Sequence, residues 1–178
     1  MARKVVVICG SPYKTSNSDA LAREFAAGAL EAGNTVEIVK LAEKQFGPCL
    51  GCDLCRKREW ECVQRDDMEQ LYSLVEAADI IVLATPLYFL TVSAQLKAFI
   101  DRLYCRHHAG SLRGKKGVLL STSGGPDSAA LKDYFAALCG LVGWENSAVL
   151  TQGGLGGRAG SGPDEATKAQ AYELGKQV

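Results

Sequence analysis

The chain lacks an excess of charge of either sign: 20 basic residues balance 20 acidic ones over 178 positions. A protein that mainly binds nucleic acid needs a basic surplus or stripe to neutralise phosphates, so that partner class is disfavoured. Long apolar runs are also missing. Runs such as 5–9 and 80–84 are of strand length and fall far short of the roughly 20 residues that cross a bilayer. The basic N-terminus passes through such a run into a Pro/Ser/Asn turn, which does not read as a secretory signal, and cytoplasmic placement is the expectation. There is no internal repeat and no G-x-x-x-x-G-K-[ST] phosphate loop. The segment Gly154-Leu-Gly156-Gly-Arg-Ala159 fits G-x-G-x-x-A, but too little chain follows it for a dinucleotide-binding unit. Histidine is scarce: His107 and His108 alone, at a predicted helix end, are expected to complement a helix dipole rather than to catalyse.

Cysteine, by contrast, is abundant and uneven. Of seven, four fall within fourteen residues as C-x2-C-x2-C-x6-C: Cys49, Cys52, Cys55 and Cys62. A secreted disulfide framework belongs to smaller domains with dispersed pairs, so this cluster reads as a ligand set or a redox site. Three readings stay open. Four thiolates on a compact loop suit a [4Fe–4S] cube; zinc accepts four cysteines but favours two separated knuckles; or the thiols are free or redox-paired, with Arg56, Lys57 and Arg58 lowering their pKa. Cys9, Cys105 and Cys139 lie in apolar stretches and read as small core residues.

The remaining pattern alternates strand and helix. Strands are expected at 4–9, 35–40, 80–85, 116–121 and 144–150, and helices at about 18–32, 66–78, 92–104, 128–141 and 164–175. Core faces are read from Leu21, Phe25 and Leu30 in the first helix, and from Leu131, Tyr134, Phe135 and Leu138 in the fourth. Asp66 and Asp67 read as a helix cap, and Lys115 with Lys116 as a solvated strand entrance. Five β-α units imply a doubly wound parallel sheet with helices on both faces, formed by 1–178 as a single domain with a cysteine-rich loop at about 45–65. Segment 153–162 reads as a glycine-rich mobile loop.

In such sheets ligands bind beyond the carboxyl ends of the strands. Three loops leave those ends with unusual composition. The first, 10–18, offers Ser11, Ser16, Asn17 and Ser18 at a helix N-terminus, with Lys14 as an added charge: groups that bind a phosphate dianion. The second presents Pro86, Leu87, Tyr88 and Phe89, which can flank a flat ring. The third, Thr122, Ser123, Gly124 and Gly125, permits close backbone approach.

These stretches, together with Cys49-Leu-Gly-Cys52-Asp-Leu-Cys55, Cys62-Val-Gln-Arg-Asp-Asp-Met68, Thr85-Pro-Leu-Tyr-Phe89 and Ser93-Ala-Gln-Leu-Lys-Ala-Phe-Ile-Asp-Arg102, resemble the flavodoxin-like NAD(P)H-dependent FMN reductases, within them the iron–sulfur flavoproteins. The resemblance spans roughly the first 105 residues. It implies strand order 2-1-3-4-5 and FMN at the sheet edge, its phosphate on the 11–18 loop and its ring between 86–89 and 122–125. It also implies a homodimer or homotetramer, and cysteines that ligate a [4Fe–4S] cluster. Tyr13 stands where the family often has arginine. Two activities follow as expectations: an FMN-dependent reductase using NAD(P)H, or an electron carrier linking a ferredoxin-type donor, the cluster and FMN. A zinc-stapled relative with a binding role is a third.

Overall fold

The computed structural model describes residues 2–156 and 160–178. Its centre is a five-stranded parallel sheet ordered β2-β1-β3-β4-β5, built from β1 (Lys4–Cys9), β2 (Thr35–Lys40), β3 (Ile80–Pro86), β4 (Lys116–Thr122) and β5 (Glu145–Gln152). Successive side chains of β1 point to opposite faces, as the two-residue strand period requires. Val5 and Val7 pack with Leu21, Phe25 and Ala29 of α1 (Asn17–Glu31) and Ala171 of α6 (Glu165–Gln177). Val6 and Ile8 pack on the other face, with α2 (Met68–Ala77), α3 (Ala94–Arg102) and α5 (Ala129–Val142). Both faces of the sheet are therefore covered, which explains why its inner strands read as unbroken apolar runs. Helices α1 and α6 cross closely because glycine lets them. A Cβ on Gly28 would lie 2.0 Å from the Tyr172 carbonyl oxygen, and one on Gly175 2.0 Å from that of Phe25.

The structure corrects several expectations. The helix expected at 92–104 is two: α3 ends at Arg102 and α4 runs Tyr104–Ala109. The break is a tightened turn at Leu103, whose N–H donates to both the Phe99 and Ile100 carbonyls, and Gly110 with φ 80 closes α4. Leu30 is 55% exposed rather than core, and Tyr134 is only half-buried. Lys115 is no solvated entrance. It is buried, and its ammonium donates to the Glu76 (2.8 Å) and Ala78 (2.7 Å) carbonyls, serving the C-terminal end of α2, where carbonyls lack helical partners. Strands β4 and β5 run on to Thr122 and Gln152, so Thr122 is a strand residue rather than part of the loop.

The cysteine segment is irregular apart from short 3₁₀ turns at Leu41–Glu43 and Leu54–Lys57. Beyond β5, residues 154–156 are held against 123–125: the Gly154, Leu155 and Gly156 N–H groups donate to the Gly125, Ser123 and Gly124 carbonyls. The rest of the G-x-G-x-x-A segment, 157–159, lies outside the described residues.

Candidate functional site

Two cavities open among the loops that leave the sheet. The larger, about 580 Å³, lies where β1, β3 and β4 end. Register brings these ends together: Cys9 pairs with Ala84, and Pro86 with Thr122. Ser16 caps α1, its Oγ accepting from the Asp19 N–H at 3.2 Å, so the first turn presents its free N–H groups at this edge. Ser93, which the sequence marked only as part of a family stretch, ties α3 to the same turn. Its Oγ caps α3 by accepting from Leu96 N–H (3.2 Å) and donates to the Gly10 carbonyl (2.5 Å).

Of the first loop's candidates, Ser11, Ser16 and Asn17 line this cavity. From the others, Pro86, Leu87 and Tyr88 line it, as do Thr122, Ser123 and Gly124. Four candidates are placed elsewhere. Lys14 is exposed, with its carbonyl held by the Lys40 ammonium. Ser18 is fully buried and pairs with Ser16 Oγ at 3.2 Å. Gly125 is turned back by bonds from Ser123 Oγ (2.6 Å) and Gly154 N–H (2.7 Å) to its carbonyl. Phe89 is fully exposed at the tip of a two-residue hairpin, in which the N–H groups of Tyr88 and Thr91 each donate to the other's carbonyl. Phe89 (φ 46) and Leu90 (φ 67) both sit in the left-handed region there.

The cavity also has walls that the sequence did not announce. Ala20 and Arg23 follow Asn17 at three-residue steps, so they share its helix face. Side chains on a helix lean toward its N-terminus, which carries Arg23 over small Ala20 toward the capped turn. Lys168 enters from α6; its ammonium is 2.7 Å from Glu165 Oε1, whose side chain is 89% exposed. An exposed pair of that kind is weak, and its cation is readily shared with an anion. The helical step from Asn17 could have found Arg23; no local signal could have found Lys168. Burial, followed by the neighbouring Tyr13, raises the Tyr88 phenol, so it stays a neutral donor.

The second cavity, about 420 Å³, is lined by all four clustered cysteines and by Cys105, Arg102 and Tyr104. Arg102 is its anchor. The guanidinium is 1% exposed and bonds both Asp66 oxygens (2.7 and 3.0 Å), the Gly47 carbonyl (2.9 Å) and the Tyr72 hydroxyl (3.2 Å). It thereby grips the cysteine loop on its way out and on its way back. Beside it, Gln45 N–H donates to Asp67 Oδ2 (2.7 Å) and Asp67 N–H to the Gln45 carbonyl (3.2 Å). Burial opposes ionisation of Asp66, yet the Arg102 hydrogen bonds hold its carboxyl below the usual range. The expected cap is only partly formed: Asp67, at the cap position of α2, makes no side-chain cap bond, while Asp66, one residue earlier, accepts from Met68 N–H (3.1 Å) and has its larger role in this pair.

Helix α4 closes the loop from outside. His108 stacks on Trp60 with centroids 4.8 Å apart, Tyr104 meets His108 edge-on at 4.4 Å, and the Tyr104 hydroxyl donates to Asp53 Oδ1 at 3.2 Å. Burial raises the Cys55 and Cys105 thiols. Among the described residues no three His, Cys, Asp or Glu side chains are gathered closely enough to hold a metal ion. The donor set, four thiols on one loop over a buried guanidinium, fits a thiolate-ligated cluster in kind.

A family profile described as NADPH-dependent FMN reductase matches residues 3–144. The chain belongs to that family. It is 34% identical to an iron-sulfur flavoprotein of Methanocaldococcus jannaschii over 98% of this chain and 95% of the relative. It is 40% identical to an iron-sulfur flavoprotein of Archaeoglobus fulgidus over 71% of this chain, spanning 59% of that protein's length. Among solved structures, an NAD(P)H:quinone oxidoreductase from Methanothermobacter marburgensis superposes with a TM-score of 0.69 at 18% identity, covering 99% of this chain and 97% of that one. The fold is thus flavodoxin-like, and family membership places the chain among FMN-dependent oxidoreductases. No helix among the described residues is long and apolar enough to cross a membrane.

Proposed function

We propose that the larger cavity holds FMN and that the protein passes reducing equivalents from NAD(P)H through it to an acceptor. The observation that carries this reading is the convergence of three strand ends on one cavity, polar and helix-capped at one side and edged by Pro86, Leu87 and Tyr88 at another. Bound FMN would supply hydride and electron transfer at its ring, chemistry that belongs to the cofactor. The chain's own residues bind and orient. The α1 terminus with Ser11, Ser16 and Asn17 receives the phosphate; Arg23 and Lys168 supply the cation that Tyr13 does not. Pro86 to Tyr88 and Thr122 to Gly124 border the ring, and the raised Tyr88 phenol keeps its proton for a hydrogen bond.

A second reading rests on the other cavity: Cys49, Cys52, Cys55 and Cys62 hold a [4Fe–4S] cluster, and the protein carries electrons from a ferredoxin-type donor to FMN. The names of the two relatives support it. The apolar hairpin tip, with Phe89 fully exposed and Leu90 65% exposed, supports a homodimer or homotetramer in either case.

Anaerobic purification followed by an absorption spectrum, iron and acid-labile sulfide assay, and NADPH oxidation with and without added FMN tests both. Flavin bands with NADPH turnover and no iron match the first reading; about four iron per chain match the second. No flavin uptake from added FMN would sink both.

A further inference from the structure

Asp19 is the third residue of α1, on the turn assigned above to the phosphate. An acidic side chain in a first turn ordinarily faces the partial positive charge of the helix terminus. Exposed at this turn, it would compete with a bound phosphate for the same field. Asp19 is instead tucked beneath the turn with its side chain 3% exposed, and the groups that meet its carboxylate are the Lys40 ammonium and the Cys9 thiol. A carboxylate so placed is costly unless another charge offsets it.

Lys40, the last residue of β2, provides that charge. Its Nζ lies 3.1 Å from Asp19 Oδ2, and the same ammonium donates to the Lys14 carbonyl in the turn itself. Cys9, at the end of β1, is the third member of the cluster. Its thiol is pushed up to about 12, by burial first and by Asp19 next, so it adds no charge of its own. The buried layer under the turn is thus one anion matched by one cation, supplied by a neighbouring strand.

We propose that Lys40 is the internal counterion of the phosphate turn, cancelling the Asp19 carboxylate so that a phosphate dianion meets the helix terminus, its hydroxyls and the cavity's cations without a competing negative charge beneath them. The inference rests on the phosphate reading of that turn. It makes Lys40 a positioning and charge-balancing residue, acting through Asp19 and Lys14.

The test compares dissociation constants of FMN and riboflavin, which share the ring and differ by the phosphate, measured by flavin fluorescence on the full chain. In Lys40→Met, FMN affinity is expected to fall about tenfold, the scale of one uncompensated charge a few ångström away, while riboflavin affinity holds. Adding Asp19→Asn to Lys40→Met should restore most of the FMN affinity although the Lys14 contact stays lost. Asp19→Asn alone should keep or tighten FMN. Unchanged FMN affinity in Lys40→Met, or equal losses for both flavins, overturns the proposal. So does a double variant as weak as Lys40→Met, which would leave Lys40 only a backbone clamp. If Lys40→Met fails to fold, Asp19→Asn decides: a loss of preference for FMN over riboflavin there overturns it as well. A wild-type protein that binds both flavins equally would instead defeat the phosphate reading before any variant is made.

Discussion

The two cavities are built in opposite ways. The larger is a by-product of the sheet: β1, β3 and β4 end in register, and hydrogen bonds such as Leu87 N–H to the Thr122 carbonyl (2.9 Å) carry that register into the loops. The cysteine cavity has no strand behind its wall. It is an irregular excursion held shut by side chains: Arg102 on Asp66 and Gly47, Gln45 with Asp67, and His108 against Trp60. One site is preformed by backbone; the other is stapled and would be completed by what it binds. Both store backbone strain. All five described non-glycine residues with positive φ lie in the loops that flank these cavities, although only Asp53 lines one: Asp53, Glu59 and Trp60 in the cysteine loop, Phe89 and Leu90 at the hairpin tip. Strain that persists in this way clusters where function needs a fixed geometry.

The sharpest way to break the comparison is at Arg102. Replacing it by methionine leaves Asp66 half-buried and unpaired and frees Gly47, which should cost about 3 kcal/mol, read as a lowered denaturant midpoint. FMN uptake in the refolded variant should survive, because no staple of the cysteine loop lines the other cavity. A parallel loss of FMN binding would show that the two regions are one unit.

Acid probes the same pair more gently. The folded-state pKa of Asp66 is lowered from its ordinary 3.8. Its stabilisation is therefore complete above the ordinary value and is lost only as pH falls through the lower folded value. Denaturant midpoints measured from pH 7 down to pH 3 should drop more steeply at the acid end for the wild type than for Asp66→Asn.

At the hairpin the sign reverses. A two-residue turn with positive φ at both positions suits Asn-Gly, so Phe89→Asn with Leu90→Gly should raise stability by about 1–2 kcal/mol. Since Phe89 does not line the cavity, FMN affinity in the isolated chain should hold, and a loss would place the tip on the ring.

The smallest effect is expected at Arg23 and Lys168. Each alanine variant should weaken FMN by a few-fold, corresponding to about 0.5–1 kcal/mol for a solvated charge, and less at high salt. Fluorescence titration at two ionic strengths checks it.

How much of this was legible follows from the range of the forces involved. Strand β1 and strand β2 were read to the residue because an apolar β-branched run bounded by glycine, and an alternating one preceded by Gly33-Asn34, are local signals. The capped turn at Ser16 was equally local. The α3–α4 break was not, because it depends on a tightened turn at Leu103 rather than on any proline or glycine within the segment. Lys115 misled because a lysine at a strand entrance normally faces water; only tertiary packing shows that it closes α2. Likewise Arg102 read as one more residue of a helix, though it is the side chain that holds the cysteine loop.

By itself, then, the sequence determined the alternation of strands and helices, the hydroxyl-rich turn at a helix start, the clustered thiols and the family these imply, since each is written in neighbouring residues. Tertiary structure alone decided which charges meet: Arg102 with Asp66, 36 positions apart, Lys40 with Asp19, and Lys168 with the cavity above α1. Buried ions are held by partners that topology delivers from distant segments, and a charge far along the chain leaves no periodicity to read.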